Sequence, residues 1–132
     1  MKYLSSYTEN LQTELFNKTG AFFAFSKKQF EDKKVEGVKY SSLGAGFICP
    51  IDNVNALTDG LESIHTNGIA LDIAENGLKD IIHRELANHE AQITCDISDT
   101  VEALEDYPGI TRETIQAEWK EYFKHCVAND YF

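Results

Sequence analysis

Apolar spacing changes character along this chain, and that change limits the folds open to it. Up to residue 77 much of the apolar content sits in short runs interrupted by glycine, such as AFFAF at 21–25 and SLGAGF at 42–47. Beyond residue 77 apolar residues recur every three or four positions. Ile115, Trp119, Tyr122, Phe123 and Cys126 fall at i, i+4, i+7, i+8 and i+11, one stripe of a helix. Short apolar runs between turn signals suit strands, and a 3.6-residue period suits amphipathic helices. The pattern predicts an α+β fold, with a small, about three-stranded sheet from the N-terminal half packed with four to five helices. A length of 132 residues is that of one ordinary domain, so residues 1–132 are read as a single domain.

Local signals place the elements. Thr8 caps a predicted helix from Glu9 to about Lys18, and Gly20 ends it. AFFAF reads as a buried strand. Ser26 and Gln29 have capping-box spacing for a short helix, KKQFEDKK. VKYSSLGAGFICP (38–50) has strand composition around a glycine-rich interruption, and Pro50 suits the start of a helix over 51–65. HTNG (65–68) reads as a turn, and IALDI (69–73) alternates as a third strand would. A helix follows from Leu78 to about Thr94. Ser98 caps a short acidic helix ending near Tyr107, and Thr111 caps a last helix to about Ala128.

Charge is strongly one-sided. Residues 1–66 carry seven lysines and eight acids, whereas residues 67–132 carry five basic residues and fourteen acids. From Glu85 to Asp106 there are seven acids and no lysine or arginine. Such a surface repels phosphate, so direct nucleic-acid binding through this half is not expected, while a basic protein surface would be attracted. No apolar run approaches the ~20 residues of a membrane span. The opening MKYLSSYTENLQ lacks the apolar core of a signal peptide, which predicts a cytosolic protein. Cys49, Cys95 and Cys126 are odd in number and far apart, as small buried thiols are and a disulfide framework is not.

The stretch IIHRELANHEA (81–91) holds the densest set of potential ligands: His83, Glu85, His89 and Glu90. At about 100° per residue, His83 and Glu90 share a polar side, whereas His89 points into the apolar stripe with Glu85 at its margin. One helix cannot converge all four on an ion, and the HExxH order of a zinc protease is absent. His89 therefore reads as a core or boundary histidine hydrogen-bonded through its ring. Gly44-x-Gly46 lacks the third glycine of a dinucleotide fingerprint and fits a bulge or tight backbone packing. Cys49 before a helix start has no identifiable general base. No cofactor is expected.

The strings FFAFSKKQFEDKK, KYSSLGAGFICP and ELANHEA resemble a family of small uncharacterised proteins of Bacteroidetes-type bacteria and their phages, over roughly residues 20–125. The resemblance implies no activity and transfers no site residue. It implies a mobile-element context, in which small acidic proteins resemble inhibitors of host defence nucleases, anti-CRISPR proteins among them. The function expected is a non-enzymatic acidic module that binds a basic protein, such as a nucleic-acid-handling nuclease. Its contact residues are expected to be Asp96, Asp99, Glu102, Glu105 and Asp106, with Tyr107 as an aromatic anchor. The alternatives are a small metal-dependent enzyme built on His83, Glu85, His89 and Glu90, and a self-assembling phage accessory protein.

Overall fold

A computed structural model describes residues 2–132. Seven α-helices and three short strands occur among them: α1 (Leu4–Thr19), β1 (Phe22–Phe23), α2 (Lys27–Lys33), β2 (Tyr40–Ser42), β3 (Phe47–Pro50), α3 (Val54–Asn76), α4 (Leu78–Asn88), α5 (Ala91–Thr94), α6 (Ser98–Ala103) and α7 (Arg112–Asn129). A 3₁₀ turn, Ile51–Asn53, leads into α3. The α+β expectation holds broadly, but there are more helices than the four to five expected. The chain divides into two compact units, Tyr3–Gly68 and Lys2 with Ile69–Phe132, and the division falls within α3.

In the first unit the sheet order is β1-β3-β2, antiparallel throughout, with Phe22 opposite Ile48 and Ser41 opposite Cys49. The expected strand at 38–50 is thus two strands. Gly44, Ala45 and Gly46 all take positive φ between them, which closes a hairpin at the glycine-rich interruption. A side chain on Gly46 would also lie 2.6 Å from the ring of Phe25. β1 is shorter and wetter than the buried strand expected: Ala21 and Ala24 are buried, but Phe25 is 72% exposed. Lys33 donates to the Phe23 carbonyl at 2.7 Å. It thereby occupies an acceptor on an edge strand, where open backbone groups invite non-specific pairing. Ala21, Cys49 and Leu57 form the core, flanked by Leu15, Phe16, Phe47, Val54 and Leu61.

Two helix starts differ from expectation. α1 begins at Leu4, so Thr8 does not cap it; Thr8 is buried one turn inside and donates back to the Leu4 carbonyl. Gly20 ends the helix in the left-handed conformation, as expected. At α2, Ser26 accepts from the Gln29 amide, but Gln29 reaches back to the Phe25 amide rather than to that of Ser26. The predicted turn at 65–68 and strand at 69–73 do not exist, because α3 runs unbroken through both.

The second unit is helical. α4 packs against α5, α6 and α7. Ile81, Leu86, Ala91, Leu104, Ile115 and Cys126 are its most deeply buried side chains apart from Asp72 and Thr100. The helix expected from Leu78 to Thr94 is broken at His89, which caps α4, and at Glu90, whose φ of 52° is left-handed. Thr111 caps α7 in a reciprocal box with Thr114.

Candidate functional site

The acidic segment is fixed from beneath by alternating burial. Ile97, Thr100, Leu104 and Tyr107 are buried, at spacings of three or four residues. Asp96, Asp99, Glu102, Glu105 and Asp106 are exposed between them. Among the described residues Asp99, Glu102 and Glu105 form no ion pair. Asp96 accepts from the Ser98 amide at 2.8 Å, so it serves as the start signal expected of Ser98. Hydrogen bonding to Ser98 holds its carboxyl below the usual range, with a smaller contribution from Arg112. α6 itself ends at Ala103, and Glu105 and Asp106 lie in the turn beyond it. The face is therefore carried partly by a turn, not by one helix running to Tyr107.

Tyr107 is not the surface anchor expected of it. It is 3% exposed, and its hydroxyl donates to Asp72 Oδ2. Burial, and then that hydrogen bond, push its phenol well above the usual range. Asp72 is fully buried and also accepts from Arg84 Nη1 at 2.8 Å, Arg84 Nη2 at 3.0 Å and Asn76 at 2.7 Å. Arg84 Nε donates in turn to Glu85 at 2.9 Å, and Thr100 donates to the Glu85 carbonyl at 3.3 Å. The acidic segment is thus tied to α3 and α4 by a buried polar network in which each charge has a directed partner.

A shallow cleft of about 210 Å³ opens beside the acidic face. Val101, Leu104, Ile110 and Ile115 line it, together with Glu105, Thr111 and Arg112. It places one carboxylate and one guanidinium at the wall of a largely apolar depression.

The four candidate ligands of residues 83–90 do not come together. Glu85 is held by Arg84. His89 Nε2 lies 3.5 Å from Glu85 Oε2 with no hydrogen bond, so the hydrogen-bonded ring expected for His89 is not found. Glu90 is exposed where the helix breaks. His83 turns instead to α7, where Nε2 meets Glu118 Oε2 at 2.7 Å. One ligand atom from each of His83, Glu118 and Glu121 lies within 4.8 Å of the others, a grouping that could hold a cation. Glu118 carries a readable signal: it follows Ile115 by three and precedes Tyr122 by four, which puts it beside the buried stripe.

Of the cysteines, Cys49 and Cys126 are buried as expected, but Cys95 is exposed. Burial pushes the Cys49 thiol up, away from the thiolate that a nucleophile requires. No helix among the described residues is long and apolar enough to cross a membrane.

A family model described as a family of unknown function (DUF7659) matches residues 4–125. No curated protein and no solved structure matches the chain.

Proposed function

We propose, for a chain that belongs to the DUF7659 family, a role as a non-enzymatic binding module that captures a basic protein on the face formed by residues 96–106. The observation that carries this reading is the pairing of exposed carboxylates with a buried anchor. Asp99, Glu102 and Glu105 project from a segment whose alternate residues, Thr100, Leu104 and Tyr107, are locked beneath it. A preformed surface loses little conformational entropy on binding, so more of its interaction energy appears as affinity. Carboxylates speed encounter with a basic partner, and apolar contact at the half-buried Val101 beside the cleft would add residence time.

A lysine or arginine fits such a place, because its methylene stem covers apolar surface while its charged end reaches carboxylate. Nucleic-acid-handling proteins present such side chains in clusters. A host nuclease of a bacterial defence system is the partner that this reading and the resemblance to bacterial and phage proteins together favour. The module would act in the cytosol by covering the surface that the nuclease offers to nucleic acid.

The test is affinity capture from the source organism, followed by titration of the captured protein against wild type and an Asp99→Lys, Glu102→Lys, Glu105→Lys variant shown to be folded. Binding should weaken severalfold or more in the variant, and wild-type affinity should fall as salt rises. Equal affinity with flat salt dependence would reject this face.

A further inference from the structure

We propose that His83, Glu118 and Glu121 form a site for a divalent transition-metal ion of the zinc(II) class, with Lys79 as its internal competitor. The three donors come from two helices packed side by side. His83 is on α4, and Glu118 and Glu121 are one turn apart on α7. Their ligand atoms already lie within 4.8 Å of one another. Zinc binds imidazole nitrogen and carboxylate oxygen at about 2.0–2.2 Å, so its ligand atoms stand roughly 3–3.5 Å apart. His83 Nε2 and Glu118 Oε2, at 2.7 Å, are closer than that and would open slightly around an ion. Glu121 is exposed and can close in by a rotamer change once it leaves Lys79.

The surroundings favour the same assignment. Tyr122 meets the His83 ring edge-to-face at 5.7 Å and restricts its orientation. Lys79, four residues before His83 on the same face of α4, holds its ammonium 3.2 Å from Glu121 Oε2. The cluster therefore already attracts one positive charge, carried on a long and exposed side chain that can swing away. Two carboxylates and a neutral imidazole sum to −2, which a divalent ion neutralises more completely than one ammonium does. One nitrogen and two oxygen donors make the set harder than a thiolate site and softer than an all-oxygen one, which suits zinc or manganese over calcium. Three protein ligands leave a tetrahedral ion one position for water or an outside group.

The experiment titrates zinc chloride into metal-stripped protein by calorimetry, with cobalt(II) absorption as an independent report of coordination geometry. Wild type should bind one equivalent, and bound cobalt should show the intense visible bands of a tetrahedral ion. His83→Ala and Glu121→Gln should each weaken zinc by about tenfold or more. Lys79→Met should tighten it severalfold by removing the competing ammonium. Lys79 and Glu121 lie at the surface, so those two variants test the site even if His83→Ala does not fold. Absence of a one-equivalent event in wild type overturns the proposal, as does equal zinc affinity in wild type and Glu121→Gln. An affinity untouched by Lys79→Met overturns Lys79 as the competitor for the site.

Discussion

Asp72 and Arg84, twelve residues apart on successive helices, meet as a two-pronged ion pair with Nη1–Oδ1 at 2.8 Å and Nη2–Oδ2 at 3.0 Å. Side-chain exposure is 0% for the aspartate and 4% for the arginine. A pair this dry stabilises little relative to a well-packed apolar pair, but each partner makes the other tolerable. Removing one strands a buried charge.

Arg84→Met should therefore destabilise the protein by about 3–5 kcal/mol. The double variant Asp72→Leu, Arg84→Met should recover part of that loss, because the Asp72 charge is removed with its partner, while buried Glu85 still loses its arginine. Urea denaturation of the three proteins decides it. A single variant that costs under about 1 kcal/mol would mean that water reaches the pair in solution.

The same network predicts opposite pH limbs. Burial raises the Asp72 carboxyl, but hydrogen bonds from Arg84, Tyr107 and Asn76 outweigh it and hold the group below its ordinary value of 3.8. Its contribution is complete above that value and is lost as pH falls through the lower folded-state value. Tyr107 is displaced upward from 10.0. Its contribution is complete below 10.0 and is lost as pH rises toward the folded-state value. Denaturation midpoints measured across pH should show Asp72→Asn losing part of the acid limb and Tyr107→Phe part of the alkaline limb. Profiles parallel to wild type at both ends would show that the hydroxyl–carboxylate bond does not form.

Gly68 lies inside α3, where alanine would ordinarily gain about 1 kcal/mol. A Cβ at this position would sit 2.5 Å from Thr8 Cγ2, on a β-branched side chain with little freedom to move. Gly68→Ala should instead destabilise by about 1–3 kcal/mol. Thr8→Ser removes the obstructing methyl, so Gly68→Ala should cost markedly less in that background. Thermal denaturation of the four proteins of this cycle measures the coupling, and strictly additive effects would place Thr8 away from Gly68.

The sequence by itself determined those elements whose signals are local. Gly20 ends α1 and Thr111 starts α7, whereas the glycines at 44 and 46 mark an interruption that reads as a bulge and is the turn between β2 and β3. Each rests on backbone conformations or capping geometry that neighbouring residues settle among themselves. The acidic run from Asp96 to Asp106 was equally plain, and its carboxylates are exposed as the charge pattern implies.

Tertiary structure decided the rest wherever an inward position is not apolar. Along α3, Leu57, Leu61, Ile64, Gly68, Asp72 and Asn76 follow one another at helical spacing. The first three are apolar, so their helix is legible. The next three are a glycine, an aspartate and an asparagine; Gly68 and Asp72 read as a turn and a strand because nothing local marks them as facing inward on a helix. Gly68 is required by a methyl on another helix, and Asp72 by an arginine twelve residues on. Tyr107 is buried, not a surface anchor, for the same reason: its hydroxyl donates a hydrogen bond to the buried Asp72 carboxylate. His83 and Glu118 are thirty-five residues apart and meet only because α4 packs on α7. Periodicity records which residues avoid water, whereas a buried polar partner is specified by a contact that exists only once the helices have packed.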